Sequence, residues 1–182
     1  GAADAQTAAD ATPTDVVGLK SGVWSLGAGR MHVCASTTDD AIRCWGSNSE
    51  GQLGNGVPPR TLQPAAVSGL GSGMASASGA VVHTCGVSAT GGVLCWGDNA
   101  GGQLGDGTMV DRSRPVEVGG LGSGIARVSA AAGFSCALTT GGGVLCWGPG
   151  LLGDGTTTSS TSPVGVQGLA SGVASLAQGF GH

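Results

Sequence analysis

The chain has 182 residues, 38 of them glycine, with 40% apolar residues, 3% aromatic residues and no tyrosine. Only 10% of residues are charged, the formal net charge is −4, and the seven Lys and Arg are scattered, so the clustered cations that nucleic-acid binding requires are missing. Glycine without a Gly-X-Y period, set among so much Val, Leu, Ala and Ile, is neither collagen-like nor disordered. No stretch approaches the ~20 apolar residues of a membrane span.

In chain order, residues 1–17 read as the tail of a preceding, incomplete unit. Gly18-Leu19-Lys20-Ser21-Gly22 then opens a unit of residues 18–68, and the motif returns at Gly69, Gly120 and Gly168, opening units 69–119, 120–167 and 168–182. The first two steps are 51 residues and the third is 48, with the shortfall just after Trp147. A deletion that leaves the rest in register belongs in a surface loop. A period near fifty with turn signals inside it marks a repeated supersecondary element. Both ends fall inside a unit, and the chain has no initiator Met, so it reads as a piece of a longer chain.

Four short strands are expected in each unit, because short apolar runs alternate with Gly, Ser, Thr and Asp. The first follows the Gly-Leu-x-Ser-Gly turn (125–131 in the third unit), and the second runs through the first cysteine (82–88 in the second). The third runs through the second cysteine (93–97), and the fourth is 115–118. The fourth begins at a proline, which suits an outer edge where a missing N–H costs no ladder bond. Sheets of four antiparallel strands at a fixed period are blades of a propeller, so the fold class is all-β.

Cys34 and Cys44, Cys85 and Cys95, and Cys136 and Cys146 each stand ten residues apart. Placing each pair face to face centres the hairpin turns on Asp39, Thr90 and Gly141, all in turn-prone surroundings. Opposed cysteines on antiparallel strands are close enough to bridge, and one solution repeated in every unit is Cys34–Cys44, Cys85–Cys95 and Cys136–Cys146. Buried free thiols and metal ligands are the alternatives, although zinc sites favour a much shorter spacing. Persisting disulfides point to an oxidising compartment, either extracellular, at the cell surface or periplasmic.

A Gly-x-x-His element, Gly29 to His32, precedes the Cys-Trp-Gly and Gly-Gln-Leu-Gly-(Asn/Asp)-Gly elements, which run from Cys44-Trp45-Gly46 to Gly51-Gln52-Leu53-Gly54-Asn55-Gly56 and recur from Cys95 to Gly107. The third copy keeps Cys146-Trp147-Gly148 and Leu152-Gly153-Asp154-Gly155 but lacks the Gln. This pattern resembles the repeats of the regulator of chromosome condensation family. The resemblance implies a β-propeller, usually of seven blades, and the paired cysteines look like those of bacterial secreted members. About three and a half units are present, roughly half a ring.

Trp45, Trp96 and Trp147 recur at one strand end, which assigns them to packing between blades. Trp24 has no counterpart, since Ala75, Ala126 and Ala174 fill its register, so it is a candidate contact residue. His32 and His83 precede the first cysteine, with His182 as their match and Phe134 in the same register, which favours a packing or backbone-bonding role over a ligand or base. Asn55-Gly56, Asp106-Gly107 and Asp154-Gly155 are turn dipeptides rather than calcium loops. No nucleophile set, phosphate-cradling loop or acid–base pair is visible, so no catalytic residue, metal site or cofactor is expected.

The expected function is a non-enzymatic extracellular scaffold that binds a protein through the loops after each Trp (47–50, 98–102 and 149–151) and the hairpin turns. Asn48, Glu50, Asp98, Asn99 and Leu151 join Trp24 as contact candidates. One alternative is a self-associating subunit of a surface fibre or sheath, in which sheet edges are completed by further copies. Another, resting on likeness of fold alone, is a secreted enzyme inhibitor of the propeller type.

Overall fold

The computed structural model describes residues 14–57 and 60–179. Twelve strands carry the described chain: β1 (Val23–Ala28), β2 (His32–Thr37), β3 (Ile42–Gly46), β4 (Thr61–Ala66), β5 (Met74–Gly79), β6 (His83–Ser88), β7 (Val93–Gly97), β8 (Arg112–Glu117), β9 (Ile125–Ala130), β10 (Ser135–Thr139), β11 (Val144–Gly148) and β12 (Ser160–Gly165). They form three antiparallel sheets, β1-β2-β3-β4, β5-β6-β7-β8 and β9-β10-β11-β12, with neighbours in chain order. The fold is all-β, as the periodicity requires. Among the described residues no helix is long and apolar enough to cross a membrane.

The central hairpins have the register fixed by opposing their cysteines: Cys34 pairs Cys44, Cys85 pairs Cys95 and Cys136 pairs Cys146. The sulfurs are bonded at 2.10, 2.09 and 2.06 Å, and no free cysteine remains. The glycine of each Cys-Trp-Gly has φ of 111°, 110° or 111°. A Cβ there would lie 2.4 Å from Met31 O at Gly46 and 2.5 Å from Val82 O at Gly97. Only glycine fits where the strand leaves the sheet this way.

The outer strand differs from expectation. It starts at Arg112, three residues before Pro115, so the proline lies within the strand. Between the Cys95–Val116 and Gly97–Arg112 pairs the register slips, and Pro115 sits in that irregular stretch, where no ladder N–H is demanded. β8 is still the edge of its sheet.

The core lies between the sheets. Trp96 and Met74 of the second unit pack with Cys34, Ile42, Leu53 and Val67 of the first. Trp147 and Ile125 of the third pack with Val87, Val93, Leu104 and Val118 of the second. Each blade therefore buries its face only against its neighbour, as stacked repeats do. The hairpin turn of each unit also holds the Gly-Leu turn of the next. Ile42 N–H donates to Leu70 O, Val93 N–H to Leu121 O and Val144 N–H to Leu169 O. Residues 168–178 thus dock on the third sheet, with Val173 and Leu176 packed against its core.

Candidate functional site: the blade seams and the loop face

Each seam repeats one hydrogen-bonded device. Trp96 Nε1–H donates to Gln52 O at 2.9 Å, and the Thr84 hydroxyl donates to the same carbonyl at 2.9 Å. His32 Nε2 lies 2.8 Å from that hydroxyl. At the next seam, Trp147 Nε1 and Ser135 Oγ donate to Gln103 O at 2.9 and 3.0 Å, and His83 Nε2 lies 2.9 Å from Ser135 Oγ. A carbonyl only accepts, so the single hydroxyl proton goes to it and the histidine must supply the other, which fixes the Nε2–H tautomer. Nδ1 of His32 and of His83 is left buried without a partner.

Protonation would place a charge on that bare nitrogen. Burial accordingly pushes His32 down to about 4, and burial followed by repulsion from His32 pushes His83 down to about 3. Both stay neutral, and they act as staples between blades. Of the packing or backbone-bonding role expected from sequence, the bonding partner is a side-chain hydroxyl of the following unit. His182 lies outside the described residues.

Of the three repeated tryptophans, Trp96 and Trp147 are fully buried at these seams, while Trp45, on the open side of the first sheet, is half-buried. Trp24 is 71% exposed and lines a groove of about 600 Å3 between the innermost strands β1, β5 and β9. Those strands run so close that a Cβ on Gly27 would lie 2.5 Å from Ala77 O.

Two contact candidates need correction. Asn48 and Asn99 are buried and cannot reach a partner. Asn48 Oδ1 accepts from Leu53 N–H, while its Nδ2 donates to Asn55 Oδ1 and Val57 O. Asn99 does the same for Leu104 N–H, Asp106 Oδ1 and Thr108 O. These side chains hold the loops in shape. Asp106 is set for the same purpose: burial works to raise its carboxyl, but Thr108 and the Arg112 guanidinium outweigh burial and hold it below the usual range.

Leu151 is 78% exposed, whereas Glu50 and Asp98 are half-buried. Glu50 and Asp98 converge with Asp111, which sequence reasoning missed, with carboxylate oxygens all within 4.8 Å of one another. Asp98 and Asp111 belong to one unit and Glu50 to the preceding one, so only the docking of two units assembles the trio. Burial, then the Asp111 charge, raises the Asp98 carboxyl above its ordinary value. A recess of about 260 Å3 opens beside Glu50, Val57 and Asp111. Val57, Met109 and Val110 on the same loops are more than half exposed. The loop face therefore combines acidic groups with exposed apolar surface.

A stack of four-stranded blades stapled tryptophan to carbonyl defines a segment of β-propeller. Residues 90–138 and residues 25–52 match the family described as the regulator of chromosome condensation (RCC1) repeat, so the chain carries repeats of that family. Over 121 residues it is 33% identical to human E3 ubiquitin-protein ligase HERC2, a match covering 65% of this chain and 2% of that protein. Over 124 residues it is 32% identical to human Protein RCC2, covering 67% of this chain and 24% of that one. Among solved structures, Prp20p of Saccharomyces cerevisiae, described with its binding to Gsp1p and histones, superposes with a TM-score of 0.71 at 19% identity. Human WBSCR16 does so with a TM-score of 0.70 at 24% identity. Each of these two alignments covers 80% of this chain and 38% of the other. The chain thus spans well under half the length of these relatives.

Proposed function

We propose that this chain is a non-enzymatic propeller scaffold that binds a protein through its loop face, in an oxidising setting outside the cytoplasm. The observation that carries this reading is the loop construction. Asn48 and Asn99 hold the loops from within, and those loops expose Val57, Met109 and Val110 and carry the Glu50, Asp98 and Asp111 carboxylates. Apolar anchors rimmed by charge on a rigid frame are what protein recognition uses. The protein binding named for Prp20p, on the same fold, supports the same class of function.

The paired cysteines support the compartment, since such bridges persist where thiols are not kept reduced. A carbonyl-and-hydroxyl relay with neutral histidines offers no nucleophile and no base of suitable basicity, which supports the non-enzymatic reading. The ligase activity named for HERC2 stays with that protein, of which the match covers 2%.

The test is affinity capture with the purified chain and with a variant carrying Val57→Asp and Met109→Asp. The wild type is expected to retain a discrete partner that the variant loses, with an unchanged far-ultraviolet spectrum. Equal retention by both would remove the loop face from the proposal.

A further inference from the structure

Asn55-Gly56 is the one asparagine–glycine pair in the chain. An asparagine before glycine is chemically labile, because no side chain on the next residue keeps its backbone nitrogen from the side-chain amide. The other asparagines, Asn48 and Asn99, precede Ser49 and Ala100 and are buried with both ends of their amides bonded. Asn55 is only half-buried. Among the described residues its bonds run through Oδ1, which accepts from Asn48 Nδ2 and Val57 N–H. The attacking nitrogen, by contrast, is occupied. Gly56 N–H donates to Ser113 O of the second unit at 2.9 Å, across the first seam. Gly107 N–H is held in the same way by Thr161 O at the second seam. There the preceding residue is Asp106, whose ionised carboxylate is paired with Arg112 and resists attack.

We infer that Asn55 is a self-modification site guarded by the first blade seam, converting to aspartate or isoaspartate only when that seam opens. In the open state the Gly56 nitrogen forms a bond to Asn55 Cγ and the Cγ–Nδ2 bond breaks. Ammonia leaves with the Gly56 amide proton, and a cyclic imide remains. Water then opens the imide at either carbonyl, giving aspartate at one and isoaspartate at the other. No oxidant or cofactor takes part.

Both products alter the loop. Aspartate keeps the Oδ1 acceptor, as Asp106 does for Asn99 and Thr108, but Thr61 stands where the second unit has Arg112, so the new charge meets no arginine there. Isoaspartate adds a methylene to the main chain and takes the Gly56 amide out of line with Ser113 O, which hinders the seam from closing again. Val57 follows directly, so the modification is expected to weaken binding through the loop face. That consequence rests on the proposed function, whereas the chemistry does not.

Peptide mapping of the whole chain tests this, after incubation at mildly alkaline pH in buffer and in urea. Reduction and tryptic cleavage after Arg43 and Arg60 isolate residues 44–60, and fragment ions separate Asn55 from Asn48. Conversion at Asn55 is expected to be slower in buffer than in urea by on the order of tenfold or more, with Asn48 and Asn99 unconverted in buffer. Hydrogen exchange at the Gly56 amide needs the same bond broken and should be slowed to a similar degree. Thr84→Val removes a hydroxyl bond to Gln52 O at this seam and should speed both processes in buffer and neither in urea. Equal conversion in the folded and unfolded chain, an unprotected Gly56 amide, or a variant that speeds exchange without speeding conversion would overturn the inference. None of these measurements involves a partner, so their failure and a failure of affinity capture are separate results.

Discussion

Acid should part the blades before it affects the sheets themselves. His32 and His83 titrate in the unfolded chain near the ordinary histidine value of 6.5, but in the folded chain near 4 and 3. Between those limits the unfolded state binds more protons than the folded one, so stability falls as the pH falls below 6.5 and stops falling below the folded values. At pH 5 the unfolded chain is almost fully protonated at both sites and the folded chain almost not at all. The loss is about 2 kcal/mol for each histidine, about 4 kcal/mol together, on the linkage relation. That is a large share of a typical domain's stability.

Urea unfolding followed by tryptophan fluorescence at pH 7 and pH 5 measures the loss. Asp98, whose carboxyl is raised, works in the opposite sense nearer the carboxylate range, so the decisive comparison is with His32→Phe/His83→Phe. Phenylalanine already stands at this position in the third unit, and Thr84 and Ser135 keep their carbonyl acceptors. The variant should lose most of the pH dependence. An equal pH dependence in variant and wild type would refute the claim that the staples are neutral histidines.

Cys85→Ala/Cys95→Ala should lower stability by about 2–3 kcal/mol, read as a shift in the urea midpoint with the blade order preserved. Thr84→Val removes both the hydroxyl that Gln52 O accepts from and the acceptor of His32 Nε2–H, and should cost about 1–3 kcal/mol with little change in the far-ultraviolet spectrum. Asn99→Ala leaves the buried Leu104 amide without its Oδ1 acceptor, and should lower stability by about 1–3 kcal/mol and speed hydrogen exchange at that amide.

Sequence carried the sheets because their information is local. Cysteines ten residues apart set the hairpin register, and the Gly-Leu-x-Ser-Gly motif marked where each first strand begins, whereas Pro115 put the start of the fourth three residues late. The seams were harder to read, because their partners lie about one period away. Each histidine bonds a residue 52 positions on, not 51, so a strict register comparison pairs His32 with His83 and overlooks Thr84. A hydroxyl following the histidine column in the second and third units, and Val33 in the first, was the available signal. Asn48 and Asn99 were misread for a related reason. Polar residues in a loop look like contact groups, whereas an asparagine kept at a constant offset is serving the loop's own backbone. Asp111 joined Glu50 and Asp98 only when two units were in place, which no single repeat encodes.

Every bridge in this protein closes over ten residues within one unit, and apart from the chain itself the blades are held to one another by hydrogen bonds and packing. A loop that short meets its own end within tens of nanoseconds, so a nascent unit can oxidise correctly while its successor is still being made. Lengthening the array by another unit adds sulfur without adding wrong pairings of comparable proximity. The same arrangement separates two vulnerabilities: a reductant slackens single leaves of the stack, and a drop in pH works along its spine.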